Sequence, residues 1–416
     1  MRLLFRNRAG CSRSPEMETE ILTNDLNKAA GIIKNGGLVA VPTETVYGLA
    51  GNGLDKNAVD KIYEVKGRPR IKPLSLMVPG EESIKNYCND IPEAAYTLAG
   101  EFWPGPLTIV LNAKTDLIPD IVLAGGNTVG LRCPDSSKTL ELLKLAGVPF
   151  AAPSANPSDS KSPVTAEDVL SYFSGKIDAV IDGGECREGF ESTIIDLSKT
   201  PYRILRQGAL GEDEITKALV RGIKKIGITG GSGTGKTTAL FALEELGAYT
   251  LDCDELYHNM LRSDKDLISE ILNTFPEASD NAAVNRKKLA SIVFSDRNLL
   301  LKLNEITHKH VMAEIDKRLT AAALNGYTLA GIDAVELFGS GASALCDLTV
   351  GVLAEKKVRL KRIIERDGIY YQDALARINA QKDDSYFKEH CDYVVYNNDD
   401  MDSFHKNCII FFKEII

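Results

Sequence analysis

The residues best suited to chemistry form a glycine-rich run, Gly-Gly-Ser-Gly-Thr-Gly-Lys-Thr at positions 230–237. It satisfies the pattern G-x-x-x-x-G-K-S/T, in which backbone N–H groups surround a polyphosphate and the following helix adds its positive end. Lys236 would meet the β- and γ-phosphates, and Thr237 would ligate Mg²⁺. An apolar strand precedes the run and a helix follows it, which favours a nucleotide site over a glycine loop without a ligand. The residues predicted to bind ATP here are Gly231, Ser232, Gly233, Thr234, Gly235, Lys236, Thr237 and Thr238.

Two carboxylates follow the next predicted strand, in Leu251-Asp252-Cys253-Asp254. A carboxylate at the C-terminal edge of a parallel sheet, beside a phosphate loop, can position or deprotonate an acceptor hydroxyl. An aspartate after a strand can instead cap a helix, and that interpretation stays open for Asp252. We predict that Asp254 is catalytic.

A basic segment near the C-terminus places Arg359, Arg362 and Arg366 three and four residues apart, hence on one face of a helix. In small-molecule kinases such a face forms a mobile lid that neutralises the transferring phosphate. A solvated basic surface is the alternative. We predict that Arg362 and Arg366 contact ATP. His308 and His310 have no third ligand nearby in the sequence, so we expect no metal there.

Over nearly the whole of residues 222–400 these features resemble the dephospho-CoA kinase family. Shared elements include Asn285-Arg286-Lys287-Lys288-Leu289, Ile306-Thr307-His308 and Cys391-Asp392-Tyr393-Val394-Val395. The resemblance implies phosphorylation of the ribose 3′-hydroxyl of dephospho-CoA, with Asp254 as the base and with Asp254, His258 and Arg377 binding the acceptor. It also implies a parallel sheet of order 2-3-1-4-5 and a helical acceptor region. The chain departs from the family at Lys309 and across 335–339, where a Pro-Leu-Leu-Phe-Glu element reads Val-Glu-Leu-Phe-Gly.

The first half of the chain has no phosphate loop, but several of its segments carry polar side chains near predicted strands. Pro42–Leu49 follows the first predicted strand, Lys66–Pro69 follows a helix, Thr128–Arg132 runs along a strand, and Pro153–Ser158 forms a hydroxyl-rich turn. Cations and hydroxyls that converge on one sheet edge would suit a triphosphate or another anion. Taken singly, Thr43 could be a turn former, Lys66 and Arg68 a solvated basic stretch, and Ser154–Asn156 an ordinary loop.

Taken together, residues 20–210 resemble the threonylcarbamoyl-AMP synthase family. The similarity rests on Pro-Thr-Glu-Thr-Val-Tyr-Gly-Leu at 42–49, on Lys66-x-Arg68 with Ser154-x-Asn156, and on Glu191–Asp196 and Ile204–Ala209. It implies an enzyme that joins L-threonine, bicarbonate and ATP, releases pyrophosphate and gives threonylcarbamoyl-adenylate for tRNA modification. It implies that Thr43, Arg132, Ala152 and Ser192 hold threonine, and that Lys66, Arg68, Thr128, Ser154, Asn156, Ser162 and Arg206 hold ATP.

The residue types in this second set fit such a reaction. Arg132 could clamp a carboxylate at two points, and Lys66 with Arg68 could stabilise charge on the α-phosphate, which makes both catalytic candidates. No general base is evident, so the reaction would depend mainly on the positioning of three reactants. The expected partners are L-threonine, bicarbonate, ATP and dephospho-CoA, with no tightly bound cofactor. The adenylate would pass to a tRNA-modifying transferase complex, with weak or indirect contact to tRNA.

The elements that would position these residues alternate between short apolar strands and helices in both halves. We predict an α/β fold: a twisted mixed-sheet domain of the threonylcarbamoyl-AMP synthase type at 18–215 and a P-loop kinase domain with a lid at 222–416. A polar segment, 207–221, separates the two, and a new strand starts at Lys224. Residues 1–17 are arginine-rich and are expected to be a disordered tail, or to precede a true start at Met17.

Composition excludes several classes of protein. The 416 residues are 44% hydrophobic and 26% charged, as in soluble globular proteins, and no apolar run approaches the roughly 18 residues of a membrane span. The net charge of −9 disfavours a nucleic-acid binder with a basic surface. The eight cysteines include no C-x-x-C pair, which is typical of reduced thiols in a cytoplasmic protein.

Two alternatives stay open beside a bifunctional enzyme. The first half could be an RNA-binding module, although acidity and few aromatic residues disfavour it. The second half could be a nucleotide-sensing regulator that has lost acceptor binding, because segment 335–339 is altered.

Overall fold

A computed structural model describes residues 18–281 and 283–416, so the prediction for residues 1–17 lies outside the described residues. The chain forms two compact units, the first ending at Ala218 and the second beginning at Leu219. No helix in these described ranges is both long and apolar enough to cross a bilayer.

The first unit is built on a mixed, twisted sheet, as predicted. The strand order is β1-β8-β2-β3-β7-β4-β6-β5-β9-β10, with parallel pairs such as β5–β9 and antiparallel pairs such as β5–β6. The strands are Glu20–Leu22 (β1), Val39–Val41 (β2), Gly48–Asn52 (β3), Leu76–Met77 (β4), Leu107–Asn112 (β5), Thr128–Arg132 (β6), Phe150–Ala151 (β7), Ala179–Ile181 (β8), Thr193–Asp196 (β9) and Arg203–Arg206 (β10).

Helices cover this sheet and begin and end at residues suited to those positions. The Asp55 carboxylate caps α2 by accepting from the Asn57 N–H, and Gly67 ends the helix with a left-handed φ of 59°. Thr165 and Asp168 form a capping box at α7. The helices are Leu26–Lys34 (α1), Lys56–Lys66 (α2), Ile84–Tyr87 (α3), Glu93–Phe102 (α4), Asp120–Leu123 (α5), Ser137–Ala146 (α6) and Ala166–Phe173 (α7), with a 3₁₀ turn at Glu81–Ser83.

The core of the first unit lies between the sheet and helices α1 and α6. Ile33 and Leu142 from these helices pack with Val39, Phe150 and Ile181 from the strands, and all five are fully buried. This packing fixes the strand ends at which the polar residues lie.

The second unit contains a five-stranded parallel sheet. Its order is β12-β15-β11-β16-β17, which is 2-3-1-4-5 in the order of the unit's main strands and confirms the prediction. The strands are Lys224–Thr229 (β11), Tyr249–Asp252 (β12), Leu329–Asp333 (β15), Leu348–Leu353 (β16) and Tyr393–Tyr396 (β17), with a separate hairpin of Ser279–Asp280 (β13) and Ala283–Val284 (β14).

A helical region lies between β12 and β15, where the resemblance implies the acceptor region. Helix α8, Glu212–Arg221, contains the division between the units. The remaining helices are Lys236–Glu245 (α9), Cys253–Ser263 (α10), Lys265–Thr274 (α11), Arg286–Val293 (α12), Arg297–Leu324 (α13), Lys356–Asp367 (α14), Tyr371–Asn379 (α15), Asp384–His390 (α16) and Met401–Ile415 (α17), with 3₁₀ turns at Pro276–Ala278 and Ala342–Leu345.

Candidate functional site

The first unit has a cavity of about 160 Å³ where β3 and β9 begin and β6, β7 and β10 end. Six of the residues predicted to bind ATP or threonine line it: Arg68, Arg132, Ala152, Ser154, Ser192 and Arg206. Residues from distant segments therefore meet around this cavity.

Arg132 is the most buried cation of this cavity, with its side chain 9% exposed. Its Nη2 donates to Glu44 Oε1 and to Thr45 Oγ1, both at 2.8 Å, and its Nε donates to the carbonyl oxygen of Gly105 at 3.2 Å. The remaining nitrogen, Nη1, has no hydrogen-bond partner among the described residues. A ligand carboxylate would therefore meet Nη1, because the other two nitrogens are already engaged.

Thr43 forms the turn after β2 rather than a wall of the cavity. Its hydroxyl donates to the Val46 carbonyl oxygen at 2.7 Å and accepts from the Thr45 and Val46 N–H groups. The same turn contains Glu44, whose carboxylate accepts from Arg132. The geometry thus supports the turn-forming interpretation of Thr43, and any contact with threonine would have to share this hydroxyl.

Lys66 lies behind the cavity at the end of α2 and is 4% exposed. Its ammonium group donates to the backbone carbonyls of Ser154 and Asn156. Burial lowers the pKa of Lys66 to about 8, Arg68 acts in the same direction, and the Glu191 carboxylate opposes both. Asn156 is also buried, and its Oδ1 has no hydrogen-bond partner among the described residues, which leaves an acceptor for a ligand.

Arg206 and Ser162 both contact Glu191, a residue to which the sequence analysis gave no role. Arg206 Nη1 is paired with Glu191 Oε2, and Ser162 Oγ donates to Glu191 Oε1 at 3.2 Å. The Arg206 guanidinium also donates through Nε and Nη2 to the carbonyl oxygen of Ser192. A carboxylate therefore occupies the donors that ATP was expected to use.

Two further predicted ATP ligands, Arg68 and Thr128, differ in their position relative to the cavity. Arg68 lines the cavity, and its Nη2 donates to the Pro73 carbonyl oxygen at 2.9 Å. Thr128 begins β6, whereas Arg132 ends it, so the two are separated by about 13 Å along the strand. Thr128 is not among the residues that line the cavity.

In the second unit, the phosphate loop connects β11 to α9 and contains three glycines with left-handed φ angles. Gly230, Gly233 and Gly235 have φ of 147°, 78° and 100°. A side chain on Gly230 would lie 2.3 Å from the carbonyl oxygen of Val352, so only glycine fits there. This backbone places the N–H groups of the run at the start of α9, as a phosphate site requires.

Two arginines of α14 donate hydrogen bonds to backbone carbonyl oxygens of the phosphate loop. Arg359 is 5% exposed, and its Nε donates to the Ser232 carbonyl oxygen at 2.9 Å. Gln381 accepts from the Ser232 N–H at 2.9 Å and from Arg359 Nη2 at 2.7 Å. Arg362 donates to the Gly233 carbonyl oxygen at 3.4 Å. The solvated-surface alternative therefore does not hold for Arg359.

One cavity of the second unit reaches the phosphate loop, and another lies at the helical region. One of about 650 Å³ is lined by Gly235, Thr238 and Arg362 together with Asn397–Met401. The other, of about 200 Å³, lies on the side of the helical region and is lined by Asp254, His308 and Glu336. The second cavity, on the side of the predicted acceptor region, is called the acceptor-side cavity.

The carboxylates at the sheet edge have different environments. Asp252 caps α10 by accepting from the Asp254 and Glu255 N–H groups, which confirms the capping alternative. Burial, with a contribution from Asp252, raises the pKa of Asp254, whereas Lys236 and His258 lower it. Asp254 is therefore left facing the acceptor-side cavity.

Asp333, at the end of β15, is a further buried carboxylate that the sequence analysis missed. Burial raises its pKa to about 7, and Lys236 opposes this shift. Its Oδ1 has no hydrogen-bond partner among the described residues. Such an orphaned oxygen beside the phosphate loop suits an Mg²⁺ ion that ATP brings, since Mg²⁺ takes one or two carboxylates plus phosphate oxygens. Its position at the end of the third main strand is the sequence feature from which this carboxylate could have been predicted.

The acceptor residues predicted from the resemblance do not all meet. His258 contacts Arg286, with Nε2 and Nη2 at 2.6 Å. Arg377 is paired with Asp367. The same carboxylate accepts from Arg366 Nε at 2.7 Å. Arg366 and Arg377 therefore lie together at the lid, and the contacts found for Arg377 in the described chain do not include Asp254 or His258.

Two family models match successive parts of the chain. The Sua5/YciO/YrdC model, described as "Telomere recombination", matches residues 31–208, and the dephospho-CoA kinase model matches residues 224–403. The two matches do not overlap, which supports the fusion that the sequence predicted.

Several curated relatives match the first half. A threonylcarbamoyl-AMP synthase of Pyrococcus abyssi is 49% identical over 191 residues, which are 46% of this chain and 56% of that protein. A putative threonylcarbamoyl-AMP synthase of Mycobacterium tuberculosis is 36% identical over 46% of this chain and 87% of its own length. A crystal structure of P. abyssi Sua5 complexed with L-threonine has a TM-score of 0.47 at 28% identity, covering 79% of this chain and 96% of that chain. The chain thus spans little more than half the length of the first of these relatives.

Proposed function

Because the chain belongs to the threonylcarbamoyl-AMP synthase family through its first half and matches the dephospho-CoA kinase model in its second, we propose that it is a bifunctional enzyme with two separate ATP sites. The first half would form threonylcarbamoyl-AMP and pyrophosphate. The second half would transfer the γ-phosphate of ATP to dephospho-CoA. The observation that supports this most strongly is that each unit has a cavity of its own, lined in part by residues of its own motif set.

In the first unit, the proposed chemistry is condensation followed by adenylate formation. The threonine amine and bicarbonate would give a carbamate with loss of water, and a carbamate oxygen would displace pyrophosphate from the α-phosphorus. Arg132 would bind the threonine carboxylate through Nη1, while Lys66, Arg68 and Arg206 would neutralise the triphosphate. These residues act mainly by positioning, because the reaction joins three separate molecules.

In the second unit, Asp254 would accept the proton of the acceptor hydroxyl as that oxygen attacks the γ-phosphate. Its position in the acceptor-side cavity and its raised pKa support a role as base. Lys236 would neutralise the transferring phosphate from the start of α9. Thr237 and Asp333 would hold Mg²⁺, which would supply positive charge to neutralise the phosphates.

The finer expectations follow from the same proposal. ATP with Mg²⁺ would be a substrate of both units, and neither would retain a tightly bound cofactor. Threonylcarbamoyl-AMP would pass to a tRNA-modifying transferase complex in the cytoplasm, and contact with tRNA itself would be weak or indirect.

A second candidate for the second unit is a nucleotide-sensing regulator. It is favoured by Glu336, which lines the acceptor-side cavity within the altered segment 335–339 and places a charge beside His308. A regulator would bind ATP at the phosphate loop but would not turn over dephospho-CoA.

One assay separates these functions. The full chain is incubated with ATP-Mg²⁺, and pyrophosphate is measured with threonine plus bicarbonate, then ADP with dephospho-CoA. The proposal expects both products, each dependent on its own second substrate. Pyrophosphate without ADP would favour the regulator, and the absence of pyrophosphate would contradict the synthase.

A further inference from the structure

Glu191 precedes β9 and is bound to two residues that are expected to hold ATP. Its Oε2 is paired with Arg206 Nη1, and its Oε1 accepts from Ser162 Oγ at 3.2 Å. The same carboxylate is close enough to Lys66 to raise the pKa of that lysine against the effect of burial. A single carboxylate thus faces three of the cationic or hydroxyl groups proposed for the triphosphate.

Arg206 does not depend on Glu191 for its orientation. Its Nη2 and Nε donate to the Ser192 carbonyl oxygen at 2.8 and 3.1 Å, and Nη2 also reaches Ser192 Oγ at 3.2 Å. These bonds fix the plane of the guanidinium group, so that Nη1 stays directed into the site when its partner changes.

The backbone of Glu191 is held in place by neighbouring backbone, whereas the side-chain contacts described above are with Arg206 and Ser162 and can be exchanged. Its carbonyl oxygen accepts from the Ala209 N–H at 3.0 Å, and Gly208 approaches so closely that a Cβ there would lie 2.2 Å from that oxygen. Its side chain is 38% exposed, and the chain before it, Gly183–Phe190, has no regular secondary structure. The carboxylate can therefore rotate into solvent while the backbone stays in place.

We propose that Glu191 is an internal anion that occupies the phosphate donors of the N-terminal site and is displaced by the triphosphate of ATP. The inference rests on the proposed function of this unit and adds a residue that sets its nucleotide affinity. Without nucleotide, Glu191 balances the charge of Arg206 and accepts the hydrogen bond from Ser162. With nucleotide, the carboxylate must leave, because two anions at the same donors repel each other.

The expected consequence is that Glu191 weakens ATP binding. An ion pair between partly exposed side chains contributes little, so the loss of the competing charge should tighten ATP binding about fivefold. The gain should shrink as the salt concentration rises, because salt screens an exposed pair.

The test uses the full chain with Lys236→Ala, which silences the phosphate loop and leaves the N-terminal site for titration calorimetry with ATP. Glu191→Gln and Glu191→Ala should both bind ATP about fivefold more tightly than the Lys236→Ala parent at low salt. Glu188→Gln is the matched control, because Glu188 lies in the same segment and is exposed. It should bind as the parent does. Thermal unfolding of each variant checks that the fold is kept.

Three outcomes would overturn the inference or a larger part of the proposal. Unchanged affinity in both Glu191 variants would make the contact with Arg206 an ordinary surface ion pair. Weaker binding, with a higher Mg²⁺ requirement, would make Glu191 a metal ligand instead. If the parent itself binds no ATP, the proposed function of the first unit fails, which is distinct from failure of the Glu191 inference alone.

Discussion

The ammonium group of Lys66 is buried at the end of α2, and its contacts are two backbone carbonyl oxygens. Burial lowers its pKa to about 8, so a noticeable fraction is neutral in slightly alkaline solution. A triphosphate beside this group would favour the charged form and raise the pKa again. Nucleotide binding and protonation of Lys66 should therefore be coupled.

We expect ATP to bind the N-terminal site more weakly as the pH rises through about 8, because neutral Lys66 no longer attracts phosphate. Well below that pH the group is already charged, and the affinity should be level. Calorimetry of the Lys236→Ala chain in two buffers with different ionisation enthalpies should detect proton uptake near pH 8. Lys66→Met should abolish this uptake, and an affinity that stays constant across that pH range would contradict the coupling.

Asp252 and Asp254 are two residues apart, yet the structure gives them different tasks. Asp252 caps α10, whereas Asp254 faces the acceptor-side cavity. Asparagine caps helices as well as aspartate does but cannot accept a proton. The same substitution at both positions therefore separates capping from catalysis.

Asp254→Asn should lower the rate of ADP formation with dephospho-CoA about 100-fold or more, because the base is lost. ATP affinity at the phosphate loop should stay near that of the parent. Asp252→Asn, the matched control, should keep most of the activity and the same unfolding temperature. Equal losses of activity in the two variants, measured by coupled ADP assay, would argue against Asp254 as the base.

At the scale of elements, the phosphate loop is held by contacts from α14 and from Gln381, two residues after the end of α15. Arg359 and Gln381 together satisfy both backbone groups of Ser232. Because Arg359 is buried in this position, its guanidinium group positions the loop and does not swing out as part of a lid. The loop geometry thus depends on an element more than 120 residues away in the chain.

Arg359→Ala should weaken ATP binding at the phosphate loop about tenfold, because a hydrogen bond from a charged donor contributes about 1.5 kcal/mol. The measurement is ATP affinity of the full chain with Lys66→Ala, which silences the other site. Arg297→Ala is the matched control, since Arg297 is exposed at the start of α13. If both substitutions leave the affinity unchanged, the loop does not need this support.

The ion pair of Glu44 and Arg132 joins the turn after β2 to the end of β6. The two side chains are 1% and 9% exposed, and Glu44 also accepts from the Asp135 N–H at 2.9 Å. Removing one partner of a buried pair leaves the other charge without compensation.

Glu44→Gln should therefore lower the free energy of unfolding of the first unit by about 3 kcal/mol. Urea denaturation followed by circular dichroism would detect this as an earlier transition. Glu185→Gln is the control, because Glu185 is exposed, and its transition should not move. A Glu44→Gln chain as stable as the parent would mean that the pair contributes no net stability.

Elements with a strong local pattern were predictable from the sequence. The strand predicted along Thr128–Arg132 and the strand start predicted at Lys224 both agree with the structure. Strand Gly48–Asn52, with two glycines, and the two-residue strand Leu76–Met77 were not predicted, because their conformation depends on pairing with neighbours across the sheet.

The candidate sites were predictable to the same extent. Motif residues such as Arg132 and Asp254 could be found, because residue type and position after a strand point to them. The roles of the carboxylates Glu44, Glu191 and Asp333 could not be predicted. Each depends on an interaction with a basic residue elsewhere in the chain.

At the scale of the whole molecule, each unit contains the parts that its proposed reaction needs. The second unit has its own core, in which Ile226, Val350 and Phe404 are buried around the sheet that positions the phosphate loop. The cysteines of the described chain are free thiols, so the fold there does not depend on disulfides. Because each unit has its own cavity, we expect that each proposed activity can be removed without the other.

The most direct test compares Lys66→Ala and Lys236→Ala in the full chain, with pyrophosphate and ADP measured from the same preparations. Lys66→Ala should abolish the pyrophosphate formed from ATP, threonine and bicarbonate and leave dephospho-CoA phosphorylation at the parental rate. Lys236→Ala should do the reverse. Loss of both products in either variant, with the fold intact, would contradict two independent sites.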